Sequence, residues 1–393
     1  MSLIGQSVTI LGAGVAGLAV SRALALRGCQ VTVLEQADAI REVGAGLQIS
    51  PNGACVLRAL GLQQQLDAVS TRAEAVQLID GPTGDPVTRL DLARLRPDQG
   101  YHFLHRADLV SLLLKGATEA GVTLRLLSRA VTVDLSGPHP AVTLDTGERI
   151  ETPFLVGADG LQSRTRAALN GPEQPFFTHQ VAWRAVIPCE PGAAPVAEVH
   201  MGPGRHLVSY PLRGGTLRNI VAVEERAKWA EEGWTLRDDS MDMRLAFAGF
   251  SPRVRAWLDR VEDPWLWGLF RHSVAQTWVK PMGQGGVALM GDAAHPTLPF
   301  LAQGASMGLE DAWVLARALA SHDTVAAALA AYQTLRKPRT TRIVAAASAN
   351  ARAYHLSGLP RMIGHAGMRA LGRLSPGTML SRFDWLYGHD VTQ

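Results

Sequence analysis

Val8-Thr9-Ile10-Leu11-Gly12-Ala13-Gly14-Val15-Ala16-Gly17 is the stretch on which the fold of this chain turns. A short apolar run meets a glycine-rich turn, and an alanine-rich helical pattern continues to about Arg27, where Gly28 offers a C-cap. A second β-branched run, Val31-Thr32-Val33-Leu34, ends on Glu35. The pattern predicts strand, tight turn, helix and strand, with an acid at the tip of the second strand. Gly12 permits the sharp turn, Gly14 lets a pyrophosphate come close to the backbone, and Gly17 lets the helix lie tight against the strand. Val15 and Ala16 start the helix, where free N–H groups and a partial positive charge favour phosphates. Glu35 can accept hydrogen bonds from both ribose hydroxyls and would repel a 2′-phosphate. The expected ligand is therefore a dinucleotide with an unphosphorylated ADP half. The motif alone does not separate FAD from NAD.

Composition bounds the rest. At 393 residues, 47% hydrophobic and 19% charged, the chain can bury a large core and divide into two domains. A net charge of +3 without a dense Lys/Arg run argues against a nucleic-acid partner. No stretch reaches the apolar length of a membrane helix, so stable membrane insertion is not expected. The first strand begins too near Met1 for a signal peptide. Cys29, Cys55 and Cys189 are scattered without a CxxC spacing, which points to a reducing cytoplasm and away from a metal site.

Beyond Glu35, Gly44-Ala45-Gly46-Leu47-Gln48-Ile49-Ser50-Pro51-Asn52 allows the backbone to pass close to a ligand at Gly46 and Leu47. Ser50 or Asn52 then caps a helix holding Leu57 and Leu60. Residues 76–96 read as a hairpin about Gly81-Pro82-Thr83-Gly84. His105-Arg106-Ala107-Asp108-Leu109 opens another helix, with Asp108 as its expected N-cap. Three β-branched runs at 122–124, 131–133 and 142–144 suggest a three-stranded meander. Phe154-Leu155-Val156-Gly157-Ala158-Asp159-Gly160 is a buried strand ending in a turn, with Asp159 suited to bonding its own backbone. From Gly171 to about Lys280 prolines and tryptophans accumulate among strand-like segments, the texture of an inserted antiparallel sheet. The stretch Val287 to Gly304 returns to strand, Gly-Asp, loop and helix start. Leu356–Leu374 is a basic, apolar segment that docks on the body or touches a membrane surface.

Together these segments resemble the single-component FAD-dependent aromatic hydroxylases, and more closely the salicylate hydroxylase and 3-hydroxybenzoate 6-hydroxylase branch. The resemblance rests on GAGVAG with Glu35, GAGLQISPN, the His105–Leu109 segment, GADG with Ser163 and Arg164, and GDAAHPTLPFLAQGA at Gly291–Ala305. The ending Phe383–Gly388 is similar as well. The resemblance implies an α/β fold: a Rossmann-like FAD-binding domain of the para-hydroxybenzoate hydroxylase type, an inserted antiparallel-sheet substrate domain and C-terminal helices. The implied FAD-binding part is 1–75, 97–170 and 280–345, the substrate-binding sheet 76–96 and 171–279, and the C-terminal helical segment 346–393.

It also implies roles. Gly12, Gly14 and Gly17 hold the pyrophosphate of a non-covalent FAD and Glu35 the adenosine ribose, while Arg106 reaches the pyrophosphate or ribityl region. Asp292 binds a ribityl hydroxyl, and Ala302, Gln303, Gly304 and Ala305 meet the pyrimidine edge of the isoalloxazine. Asp159 is tied to FAD and to the transient nicotinamide nucleotide, NADH or NADPH. Pro299 matches a proline lining the pocket where oxygen reacts. At that position the 3-hydroxybenzoate enzyme carries a glutamine, so the substrate's hydrogen bonds must differ here. The implied chemistry is delivery of an oxygen atom from a flavin C4a-hydroperoxide to a small aromatic substrate.

Gly204 to Pro211 predicts a turn running into a strand, with His206, Val208 and Tyr210 on one face and Leu207 and Ser209 on the other. An imidazole and a phenol side by side there form a pocket wall. The branch has a His and a Tyr at this spacing, and its His takes the phenol's proton, so His206 is the candidate base and Tyr210 the next candidate. A hydroxylase of a lipid-quinone precursor and a non-catalytic FAD-bound redox sensor stay open as alternatives. So do monomer and homodimer.

Overall fold

The computed structural model describes residues 3–40, 45–227 and 236–393; the Arg41–Gly44 opening of the second glycine-rich segment lies outside them. The first strand, Ser7–Leu11, is central to a six-stranded sheet, flanked by Phe154–Gly157 on one side and Gln30–Leu34 on the other, all parallel. Such strands are buried on both faces, which is why Val8, Ile10, Val31 and Val33 form one apolar run with the helices. The helix Val15–Ala25 leaves the first strand through Gly12, whose φ of +96° suits a residue without a side chain. A Cβ at Gly17 would stand 1.9 Å from the Gly12 carbonyl, so the helix approaches as tightly as the sequence predicts. Gly285–Leu289 extends this sheet in parallel, and helices Gly304–Ser321 and Val325–Tyr354 cover it.

The second sheet has seven strands in the order Trp265–Arg271, Phe176–Pro188, Leu217–Glu225, Arg205–Leu212, Val196–Gly202, Ala75–Asp80 and Pro86–Asp91. Five of its six pairings are antiparallel, four among the inserted strands and one within the hairpin, as the patterning suggests. The exception is Ala75–Asp80, which runs parallel to Val196–Gly202. This hairpin arrives from the nucleotide-binding part of the chain by a long crossover, and only a crossover can give a parallel pair.

Local expectations change in three places. Thr123–Arg125 joins the parallel sheet beside Gln30–Leu34, because the helix Arg106–Glu119 ahead of it makes a crossover. The meander is formed instead by Ala130–Asp134, Ala141–Leu144 and Arg149–Glu151. At Arg106–Glu119 the cap is His105, whose Nδ1 accepts the Ala107 N–H at 3.2 Å, while Asp108 in the first turn pairs with Arg213 at 2.8 Å. Ser50 holds the N-cap position of helix Pro51–Ala59, but its hydroxyl bonds to side chains rather than to the helix.

The C-terminal helix Gly358–Leu374 docks on the hairpin. Asp80 accepts from Arg361 and pairs with His365 at 3.1 Å, and Arg369 donates to the Pro86 carbonyl. Leu359, Met362 and Ile363 are left on its outer side. No helix among the described residues is long and apolar enough to cross a membrane.

Candidate active site

A cavity of about 870 Å³ lies between the seven-stranded sheet and the segments that follow the parallel strands of the six-stranded one. One end is lined by Gly14, Val15 and Ala16, by Gly46 and Leu47, by Arg106, and by Asp292 with the loop 296–305. A Cβ at Gly14 would meet no atom within 4 Å, so open space lies before the first turn of the helix. Phosphate oxygens fit there, against free N–H groups of a helix N-terminus. Arg106 is the first residue of its helix, next to the capping His105, and supplies positive charge to the same end. Burial pushes the Asp292 carboxyl above its ordinary value, although His295 and Arg106 oppose the shift. A carboxylate so poorly hydrated is suited to accept a ligand hydroxyl. The donor set therefore fits a dinucleotide with a polar, multiply hydroxylated linker.

Ala302 has a φ of +52°, a left-handed backbone that costs a residue with a Cβ on the order of 1 kcal/mol. It turns the loop into the helix beginning at Gly304, so the N–H groups of 303–305 end one face of the cavity. A buried polar network holds this turn. Gln303 donates to Ser50 Oγ at 2.8 Å, and Asn52 Nδ2 donates to Gln303 Oε1 at 3.0 Å and to Glu310 Oε1 at 2.6 Å. Glu310 is in turn paired with Arg336 and, at 2.8 Å, with Arg339. Sequence reasoning missed this network. Its visible trace is Glu310-Asp311, two adjacent acids in a helix whose one other charged residue is Arg317.

Four expected cofactor residues do not line the cavity: Gly12, Gly17, Glu35 and Asp159. The two glycines act through backbone shape. Glu35 accepts the N–H of Ala13 at 2.8 Å and of Ala37 at 3.0 Å, tying the strand tip to the glycine-rich turn and leaving lone pairs over. Asp159 accepts from Ser163 Oγ at 2.5 Å and from Thr165 N and Oγ1 at 3.1 and 3.2 Å. That carboxylate organises the start of helix Arg164–Asn170, and it is the neighbours Ala158, Gly160 and Leu161 that line the cavity.

His206, Val208 and Tyr210 share the cavity face of their strand, with Leu207 and Ser209 turned away. They are not side by side. They stand four positions apart, about 13 Å along an extended strand, and each has its own surroundings. Tyr210 lies against Phe103, and burial pushes its phenol up to about 12. His206 lies against Phe300 and Tyr354, and its Nδ1 is 2.7 Å from His355 Nε2. His355 Nδ1 is in turn 2.7 Å from Glu225 Oε1, whose side chain is 51% exposed. Burial, and next the closeness of His355, hold the His206 imidazolium far below its ordinary pKa, so the ring is neutral at pH 7. Pro299 begins the turn Pro299–Leu301 and lines the cavity, as does Pro296. Arg184 lies on the same side, stacked over Trp267 at 4.4 Å and donating to the Gly46 carbonyl at 2.6 Å. Neither His355, Glu225 nor Arg184 was expected from the sequence.

Residues 6–347 match the family model described as an FAD binding domain. The chain is 33% identical over 395 residues to 3-hydroxybenzoate 6-hydroxylase from Klebsiella oxytoca, covering 96% of each. It is 31% identical to salicylate hydroxylase from Pseudomonas putida, covering 99% of this chain and 93% of that one. Klebsiella pneumoniae HpxO complexed with FAD and uric acid superposes with a TM-score of 0.83 over 96% of this chain and 95% of that one. At 23% identity that likeness speaks for the fold.

Proposed function

The chain belongs to the single-component FAD-dependent aromatic hydroxylases, in the branch of salicylate hydroxylase and 3-hydroxybenzoate 6-hydroxylase, and we propose that it uses NADH or NADPH and O2 to hydroxylate a phenolic or heteroaromatic ring lying against His206. FAD would be held without a covalent bond by the end of the cavity that carries Gly14 to Ala16, Arg106, Asp292 and 302–305. When bound, reduced flavin supplies the activation of O2 and an electrophilic oxygen atom. The helix N-terminus at Gly304 is suited to stabilise negative charge on the ring edge placed before it. Pro296 and Pro299 exclude water from the neighbouring space without offering a competing donor.

The observation that carries the reading is the His206–His355–Glu225 chain beginning in the cavity and ending at the surface. With both imidazoles neutral, only one arrangement satisfies both hydrogen bonds: Nδ1–H on each ring, and Nε2 of each as acceptor. His206 Nε2 is then the nitrogen left for the substrate. A phenol O–H gives its proton to it, His206 Nδ1–H passes to His355 Nε2, and His355 Nδ1–H passes to Glu225. The ionised ring is a much better nucleophile than the phenol, whose pKa is about 10. The return of a proton as the ring rearomatises restores both tautomers. Tyr210 stays protonated and serves as a neutral hydrogen-bond donor. Names of relatives suggest hydroxylated benzoates as first compounds to try.

Anaerobic stopped-flow reduction and product analysis test this. Flavin reduction by NADH should accelerate when a suitable phenol binds, and the aerobic product should carry one added oxygen. A reduction rate indifferent to every phenolic and heteroaromatic ligand, with no oxygenated product, would count decisively against a hydroxylase.

A further inference from the structure

Given a hydroxylase whose reacting ring sits at His206, as proposed above, we infer that the physiological substrate carries an extended apolar substituent, seated beneath the half of the seven-stranded sheet beyond that residue. The cavity runs under every strand of the sheet, from Trp267 on one edge strand to Leu90 on the other. His206 stands on the fourth strand. Its near side is occupied by the loop carrying Leu298 and Phe300, which packs on Ala182 and Val223. On its far side lie three more strands, about 14 Å of sheet at the usual strand spacing. A single benzoate ring cannot fill that length.

The far half is mainly apolar, with Tyr101 and Tyr387 packed by Ala197 and Val76 toward one end of its strands. Leu78, Leu90, Val199 and Met201 come from the sheet, and Met368 and Leu371 roof them from the C-terminal helix. The cationic residues Arg106 and Arg184 belong to the other end, and Arg382 is exposed at the rim. A substrate carboxylate placed under these strands would be buried without a cationic partner, at a cost far above any gain from the ring. An alkyl, prenyl or fused-ring extension meets no such penalty. Methionines on both walls can follow an irregular chain, because the unbranched thioether side chain adapts its rotamers. The roof also leaves space: a Cβ at Gly367, which lines the cavity, would meet no atom within 4 Å.

The test uses the FAD-loaded enzyme and a series of phenols with straight alkyl chains of increasing length, alongside salicylate and 3-hydroxybenzoate, reading substrate-stimulated NADH oxidation and oxygenated product. KM should fall by about fourfold per added methylene until the space is full, as expected for burial of each CH₂. Gly367→Leu, with unchanged FAD content, should raise the ratio of long-chain to unsubstituted-phenol KM at least tenfold. If the hydroxybenzoates have the lowest KM and chain length weakens binding, the apolar-substituent inference is wrong and the hydroxylase reading stands. If no phenol of either kind stimulates oxidation, the hydroxylase reading fails and takes the inference with it.

Discussion

Replacing Arg336 with Met should damage both stability and flavin retention, although Arg336 does not line the cavity. Its guanidinium is 1% exposed and lies between two fully buried carboxylates, bonding Glu310 directly and Asp311 Oδ1 at 2.7 Å, with a further bond to the Met307 carbonyl. Removing one partner of a buried ion pair commonly costs roughly 3–5 kcal/mol, because a charge is left uncompensated. The lower end applies here. Glu310 keeps the two-pronged contact with Arg339 and the Asn52 bond, and Asp311 keeps His295 and the Gly291 N–H. We therefore expect about 3 kcal/mol. With a urea slope of about 3 kcal/mol per molar, the unfolding midpoint moves down by about 1 M.

The variant's pH dependence should change too. Burial raises both carboxyls, but His295 and Arg336 at Asp311, and Arg336 and Arg339 at Glu310, outweigh it and hold both below their ordinary values. Depressed carboxyls contribute stability above their unfolded pKa values and lose it as pH falls through the folded ones. Without Arg336 the folded carboxyls move up toward their unfolded values, so the variant should lose less stability than the parent as pH falls, and the gap between the two should narrow on the acid side. Urea titrations from pH 4 to 8, followed by circular dichroism and by fluorescence of released flavin, measure both effects. A midpoint within about 0.3 M of the parent at every pH, with full flavin content, would refute this coupling between the buried charges and the 302–305 turn.

Asp292→Ala should weaken FAD binding by about ten- to a hundredfold, the equivalent of one charge-assisted hydrogen bond, measured by titrating apoprotein with FAD; an unchanged dissociation constant would remove Asp292 from the cofactor site. Gly17→Ala should yield insoluble or flavin-free protein, since the methyl group would overlap the Gly12 carbonyl; a yellow, soluble variant would show that the helix can shift outward. His206→Ala should lower hydroxylation about 10²-fold or more while FAD content and ligand-free reduction stay near the parent's. Because burial keeps His206 neutral well below the usual histidine pKa, kcat/KM should hold level from pH 8 down past 6.5; an acid limb at or above 6.5 would be inconsistent with His206 as base.

The readable parts of this protein were those whose chemistry is local. Gly12 to Gly17 and Glu35 announce a nucleotide turn because turn, helix start and acid fall within one strand-helix-strand unit. The alternation from His206 to Tyr210 announces a face, but alternation does not measure distance, and the two rings stand apart. His355 and Glu225 were invisible because their partners lie 149 and 130 residues away in the chain, and neither sits in a pattern that marks it. The turn role that the sequence assigns to Asp159 is local, and Ser163 and Thr165, which it accepts from, lie within six residues of it. The thiols illustrate the same limit: Cys29 and Cys55 are buried and unpaired, which scattered spacing suggests but cannot locate.

The parallel seam between Ala75–Asp80 and Val196–Gly202 also fixes an order of events during synthesis. The hairpin leaves the ribosome about 110 residues before its partner strand, a wait of roughly 6–20 s at ordinary elongation rates. Throughout it, the edge of Ala75–Asp80 offers unpaired N–H and C=O groups beside Leu78, a template for any other extended chain. The seven-stranded sheet cannot finish from the inserted segment alone, because two of its strands come from the earlier hairpin. Fragments cut between the lobes should therefore aggregate. The nascent protein should be most dependent on chaperones over this interval, before the crossing is closed.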